Sequence, residues 1–345
     1  MLGIARQSGE FRSDRLSATM PKTNLLVISA PEEGVLRILE PLRATSDVFV
    51  SDEQAQAERL ACAAEVILVT GSAGKSISLP KIWQYARGVR WVHSLSAGVE
   101  KLMFPALAQS SVPLTNARGV YKRSLAEFAV LGVLFHYKRV RRLLENQRAK
   151  KWDQFTVKVT DGRIMGIVGY GQTGRECALL ARGLGMRIHA LRRNPTKSDD
   201  DPLLERNFAP NELQQMLQGI DVLLCATPLT PQTRHMISDA QFDVMKPGAL
   251  LINLGRGPVV DEAALIRALR SNKLGGASLD VFEEEPLPQS SALWDMDNVL
   301  ISPHCTDWTE DPDALELTMR CFVENFQRYQ RGEPLLNIVD KSAGY

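Results

Sequence analysis

The chain has 345 residues, 44% of them hydrophobic, with 41 Lys and Arg against 40 Asp and Glu. That length exceeds one ordinary core and accommodates two, and the balanced charge gives no overall field that would recruit nucleic acid or an anionic membrane. Five cysteines without a Cys-x-x-Cys pair argue against a disulfide framework and for a reducing, cytoplasmic setting, and no run approaches the ~18 apolar residues of a membrane span.

Residues 1–21 carry Arg6, Arg12 and Arg15, but Glu10 and Asp14 interrupt them and no apolar segment follows. They are expected to form a disordered leader or an over-extended start, with Met20 as the alternative first residue. From Asn24 the chain alternates apolar runs with polar helical stretches. Strands are predicted at 24–29, 47–50, 66–70, 90–93 and 112–115, which implies a parallel sheet flanked by helices. Ser124 and Glu127 have capping-box spacing ahead of the apolar run 125–135, which predicts a long buried helix. Lys138, Arg139, Arg141 and Arg142 at its far end read as a solvated face that compensates the helix dipole.

A second alternating series follows, with strands predicted at 164–168, 186–191, 221–226, 249–254, 277–282 and 299–302. Leu315, Met319, Phe322, Phe326 and Tyr329 then recur at helical spacing, and Gly332 and Pro334 stop the helix that closes the chain. The expected fold is α/β, with two Rossmann-like or flavodoxin-like doubly wound parallel-sheet domains and a cleft between them.

The strand at 164–168 runs directly into Gly169-Tyr170-Gly171-Gln172-Thr173-Gly174 and then into a helical pattern. This places a Gly-x-Gly-x-x-Gly in the strand-turn-helix setting that binds a dinucleotide pyrophosphate on helix amides. No Gly-Lys-Ser or Gly-Lys-Thr closes the motif, so a P-loop is excluded. About 20 residues further on, an NAD site presents an acidic residue to the ribose. Here Arg192 and Arg193 occupy that strand end, which predicts a preference for NADP(H) through guanidinium contacts with the 2′-phosphate, with NAD(H) also usable.

Reduction of a 2-oxo acid needs a carboxylate anchor, a proton donor for the carbonyl oxygen and a partner that keeps the donor protonated. Arg256, Glu285 and His304 each fall just past a predicted strand, where open α/β sheets bind ligands. The glycine fingerprint, Asn253-Leu254-Gly255-Arg256-Gly257, Glu285-Pro286 and Pro303-His304 occur in the order found in the D-isomer-specific 2-hydroxyacid dehydrogenases. The sequence resembles that family from about Asn24 to its end, and is most similar to the glyoxylate/hydroxypyruvate reductase type. By this resemblance Arg256 binds the substrate carboxylate and polarises its carbonyl, His304 is the general acid/base, and Glu285 stabilises the imidazolium of His304. The resemblance also assigns the amides of Ala97, Gly98 and Val99 to the substrate carboxylate, and Asp280 to the nicotinamide amide. Gln172, Thr173, Thr227 and Leu254 fall to the cofactor, while Asn116 and Glu127 stand in family-like positions. It further implies a discontinuous substrate domain of residues 22–122 and 310–345, a cofactor domain of residues 123–309 and a homodimer.

The segment Cys305-Thr306-Asp307-Trp308-Thr309 departs from the small, Gly-containing stretch of many relatives, so Trp308 either gates substrate size or packs at a domain seam. Residues 117–123 are unusually basic for an interdomain crossover. Formate dehydrogenases share the scaffold but pair their His with Gln, and Glu285 speaks against that chemistry. Phosphoglycerate dehydrogenase is an alternative, although a chain ending at Tyr345 leaves no room for an added regulatory domain. Nucleotide-sensing corepressors share the fold and triad, but no peptide-docking groove is legible between Asn24 and Asn116. No metal site is expected, since His93, His136, His189 and His235 lack partners at ligand spacing and read as structural.

Overall fold

The computed structural model describes residues 22–70, 77–100, 102–309 and 312–344. The expected leader, position 310 of the second expected domain boundary and the Leu315 side chain lie outside the described residues. Twelve strands form two all-parallel sheets. The first contains β1 (Thr23–Ile28), β2 (Ser46–Ser51), β3 (Val66–Val69), β4 (Trp91–Ser94) and β5 (Leu114–Asn116), in the order β2-β1-β3-β4-β5. The second contains β6 (Ile164–Val168), β7 (Arg187–Leu191), β8 (Arg206–Phe208), β9 (Val222–Cys225), β10 (Ala249–Asn253), β11 (Leu274–Leu279) and β12 (Val299–Ile301). Its order is β12-β11-β10-β9-β6-β7-β8, a doubly wound sheet that reverses direction between β6 and β9.

Helices cover both faces of each sheet, which explains why central strands such as β3, β9 and β10 are buried along their whole length. On the first sheet, Trp91 stacks on Phe322 of the helix Pro312–Gln330 with ring centroids 5.3 Å apart. Met319 and Phe326 join it over Leu25, Val27 and Leu68. The chain does not close with that helix as expected. Residues beyond it return to β5, where Ile338 bridges Thr115 and the Val339 amide donates to the Leu114 carbonyl. The Lys341 ammonium then donates to the Leu107 and Ser110 carbonyls.

Three other expectations need correction. The long helix runs Lys122–Tyr137, so Ser124 lies inside it and caps nothing. Glu127 instead accepts from Arg123 at 2.7 Å, one turn back, and the Ser124 hydroxyl donates to the Thr306 carbonyl. The basic stretch that follows is not a plain solvated face. Arg139 takes a left-handed conformation that breaks the helix, Arg142 pairs with Asp153 at 2.7 Å while lying over Phe155, and Arg141 donates to the Val299 carbonyl. Strand β8 is unexpected: with three residues at a sheet edge, one of them exposed, it offers no apolar run to detect.

Candidate active site

Glycines let the carboxyl ends of β6, β9, β10 and β11 approach one another. Gly169 has φ +98, and a Cβ there would meet the Ala226 carbonyl and the Thr227 amide at under 3 Å. A Cβ on Gly174 would fall 2.4 Å from the Gly169 carbonyl, so the helix Gln172–Gly183 starts directly against the turn. A Cβ on Gly171, in contrast, would meet nothing within 4 Å. The cradle therefore fits a pyrophosphate: one glycine closes the turn, another seats the helix, and the middle one leaves open space over helix amides.

The remaining cofactor candidates surround this turn. The Thr227 hydroxyl is buried without a hydrogen-bond partner among the described residues, an acceptor and donor left for a ligand. Thr173 is half-buried in the first helical turn, and Leu254 is buried with its amide on the Cys225 carbonyl. The Gln172 side chain lies against Gly119 of the crossover, where only a missing Cβ leaves room for it. Arg192 and Arg193 follow β7; Arg192 reaches the Ser198 hydroxyl at 3.3 Å, and Arg193 lies 3.9 Å from Asp340.

Asp280 is buried, and its carboxylate accepts from the Ser302 hydroxyl at 2.7 Å, the Cys305 and Thr306 amides, and the Thr306 hydroxyl at 2.6 Å. These four bonds fix the loop in which His304 adopts a left-handed φ of 52°, a conformation that a non-glycine residue keeps only when its surroundings enforce it. Asp280 thus anchors the loop, whatever else it contacts. The His304 ring places Nδ1 2.7 Å from Glu285 Oε2, while Glu285 Oε1 accepts from the Phe282 amide at 3.0 Å. The carboxylate is held at both oxygens, and the imidazole is oriented with Nε2 pointing away from it.

Arg256 comes from the loop after β10. A Cβ on the next residue, Gly257, would collide with the Phe282 carbonyl, so the Arg256 loop and the turn leading to Glu285 pack in direct contact. The Arg256 guanidinium crosses to the first sheet and donates from Nε to Glu100 Oε1 at 2.8 Å. There the loop after β4 carries Ala97, Gly98 and Val99. Val99 is buried, and the Asn116 side-chain amide donates to the Ala97 carbonyl at 2.6 Å, which gives Asn116 a clear loop-shaping contact. A Cβ on Gly98 would lie 2.2 Å from Arg256 Nη2. The structure thus brings Arg256, Glu285, His304 and the 97–99 loop together. Sequence reasoning missed Glu100; the only local signal is a carboxylate directly after the loop.

Trp308 is 80% exposed, so it does not pack at a seam. Asp307 beside it has a buried Oδ1 without a hydrogen-bond partner among the described residues, and burial pushes its carboxyl above the usual range, with His304 opposing and Asp280 adding to the rise. The other histidines are engaged elsewhere. His93 lies 2.6 Å from the Thr115 hydroxyl, His136 bonds the Ala277 carbonyl, His189 packs against Phe208 with the rings tilted, and His235 faces Glu283 at 2.8 Å.

A doubly wound sheet with this glycine cradle, set against a second such sheet with Arg, Glu and His gathered where they meet, defines a nicotinamide-dinucleotide-dependent oxidoreductase. Comparison with known proteins narrows the class. The family model for the D-isomer specific 2-hydroxyacid dehydrogenase NAD binding domain matches residues 130–306. A glyoxylate reductase from Korarchaeum cryptofilum is 31% identical over 323 residues, covering 90% of this chain and 93% of its own. A D-isomer specific 2-hydroxyacid dehydrogenase from Xanthobacter autotrophicus, solved with NADPH and MES, superposes with a TM-score of 0.80 at 30% identity, covering 94% of this chain and all of its own (100%). An NADPH-dependent glyoxylate/hydroxypyruvate reductase from Sinorhizobium meliloti, solved with NADP and sulfate, gives 0.79 at 27% identity, with coverage of 94% and 100%. The chain belongs to the D-isomer specific 2-hydroxyacid dehydrogenase family. Among the described residues, no helix is long and apolar enough to cross a membrane.

Proposed function

We propose that the protein reduces glyoxylate, hydroxypyruvate or a similar short 2-oxo acid with NADPH as the preferred donor. The observation that carries this is the convergence of Arg256 and the Glu285–His304 pair beside the 97–99 loop, at the carboxyl ends of two facing sheets. A nicotinamide held by the glycine cradle would supply the hydride. Arg256 and the amides of Ala97, Gly98 and Val99 hold the substrate carboxylate, and Arg256 also draws electron density from the carbonyl. His304, with Nδ1 committed to Glu285, gives its Nε2 proton to the carbonyl oxygen and takes it back in the reverse direction. Glu285 stabilises the imidazolium and fixes its orientation.

Residues 22–122 with 310–345 act as the substrate domain and residues 123–309 as the cofactor domain, with closure of the cleft excluding water from the site. The packing of Met319, Phe322 and Phe326 on the first sheet supports this division. Gly169, Gly171, Gln172, Thr173, Gly174, Thr227 and Leu254 cradle the dinucleotide. Arg192 and Arg193 take the 2′-phosphate, and Asp280 reaches the nicotinamide amide with its less occupied oxygen. The NADP(H) preference is supported by the two guanidiniums and by the cofactors bound in the Xanthobacter and Sinorhizobium structures.

The exposed apolar side chains Leu131, Leu143, Leu144 and Trp152, on the helices Lys122–Tyr137 and Val140–Arg148 and the segment after them, support a homodimer. All five cysteines are free, in keeping with a reducing cytoplasmic setting. Initial rates of NADPH and NADH oxidation with glyoxylate, hydroxypyruvate, pyruvate and 3-phosphohydroxypyruvate test the whole proposal. Rapid NADPH loss with a short unphosphorylated acid supports it. Cofactor binding without turnover refutes it.

A further inference from the structure

Arg256 offers three nitrogens, and the structure commits two of them. Nε donates to Glu100 Oε1 at 2.8 Å, Nη1 donates to the carbonyl of Gly255 at 2.8 Å, and Nη2 makes no protein hydrogen bond among the described residues. That remaining nitrogen lies at the open flank of Gly98, inside the loop assigned to the substrate carboxylate. Glu100 and Arg256 are 156 positions apart and belong to different sheets, so their bond forms only when the two sheets face each other closely. The pair is also part-exposed, with side chains at 31% and 46%, and ion pairs of that kind contribute little to stability. Its geometry therefore calls for an explanation other than holding the fold.

We propose that Glu100 is a positioning residue for the reaction: it clamps the Arg256 guanidinium at Nε so that only Nη2 points to the substrate, and it completes this alignment when the cleft closes. The inference rests on the 2-oxo acid reductase reading given above. Burial opposes ionisation of Glu100, but the Arg256 charge and hydrogen bond, with a smaller contribution from His304, hold its carboxyl below the usual range, so the clamp stays charged at neutral pH. A guanidinium free to swing loses its alignment with the carbonyl, and small misplacements of a reacting group are expensive in rate.

The test compares Glu100→Ala and Glu100→Gln with the wild type in steady-state reduction of glyoxylate by NADPH. NADPH titration, thermal melting and calorimetric binding of oxamate, an unreactive 2-oxo acid analogue, accompany the rates. Glu100→Ala is expected to lower kcat by roughly 100-fold, to raise KM far less, and to leave NADPH affinity and the melting temperature near wild type. Glu100→Gln, which keeps an acceptor for Nε, is expected to recover most of the lost kcat. An unchanged kcat in Glu100→Ala overturns the inference, as does a lower KM at constant kcat, which would make Glu100 a competitor of the substrate. Loss of melting temperature and NADPH affinity together also overturns it, because Glu100 would then be structural. A wild type that neither turns over any 2-oxo acid nor binds oxamate overturns the reductase reading itself, and the positioning role with it.

Discussion

Arg192→Asp is expected to reverse the dinucleotide preference. Arg192 directly follows β7, with its amide held on the Phe208 carbonyl at 3.2 Å, and its side chain reaches the Ser198 hydroxyl at 3.3 Å. It forms no ion pair among the described residues, whereas Arg193 is exposed and lies 3.9 Å from Asp340. The charge of Arg192 is thus the less committed of the two guanidiniums proposed to meet the 2′-phosphate. A charge-assisted hydrogen bond contributes roughly 1.5–3 kcal/mol, and half-burial puts Arg192 toward the lower end, so removing it lowers kcat/KM for NADPH by about 10- to 30-fold. An aspartate adds repulsion of the phosphate, about another tenfold, and supplies the acceptor that a free ribose 2′-hydroxyl needs. Initial rates at subsaturating NADPH and NADH, with glyoxylate fixed, give the ratio directly. A shift of about 100-fold or more toward NADH is expected. An unchanged ratio in Arg192→Asp refutes the assignment of the 2′-phosphate to this strand end.

The glycine cradle separates binding from folding. A Cβ at Gly171 has nothing within 4 Å and points into open space, so Gly171→Val should keep the wild-type melting temperature while abolishing NADPH binding by fluorescence titration. Gly174→Ala sets a Cβ against a backbone carbonyl 2.4 Å away and should lower the melting temperature as well. His304→Ala should cut kcat by about 10²- to 10⁴-fold with NADPH affinity intact, and retained turnover would remove His304 from its role. Asp307 gives a pH-dependent stability. Its carboxyl is raised above the ordinary value in the fold, so the folded state binds the proton more tightly, and stability falls as pH rises from the ordinary carboxylate range through the raised value. Asp307→Asn should therefore melt higher than wild type at pH 7.5, and the advantage should vanish in acid. A variant that melts no higher at pH 7.5 would mean that the buried Oδ1 is satisfied in solution.

The parts of this molecule legible in the sequence are those whose physics is local. Strands such as β3, β9 and β10 are buried on both faces and appear as unbroken apolar runs, and the glycine fingerprint is readable because a strand precedes it and a helix follows. The Ser124–Glu127 spacing misled because a capping box is a pattern of residue types, whereas the actual helix start is fixed by tertiary contact. Ser124 is drawn to the Thr306 carbonyl 182 positions away, and the helix begins ahead of it. Edge strand β8 and the return of residues 337–341 to β5 escape for the same reason, since both exist only through their neighbours.

The proposed catalytic trio shows both sides of this division. Glu285 and His304 stand 19 positions apart on adjacent loops of one sheet, and their order in the chain already announces them. What aims Arg256 is a carboxylate on the other sheet, and no spacing rule connects Glu100 to it. Residues that touch the reacting atoms are constrained in type and so leave a motif. A residue that only orients one of them needs nothing more than an acceptor at the right place, and several sequences can supply that. A two-sheet oxidoreductase whose site forms at the junction will therefore hide its alignment devices from sequence patterns while exposing its chemistry, and the contacts that cross the cleft are where they are found.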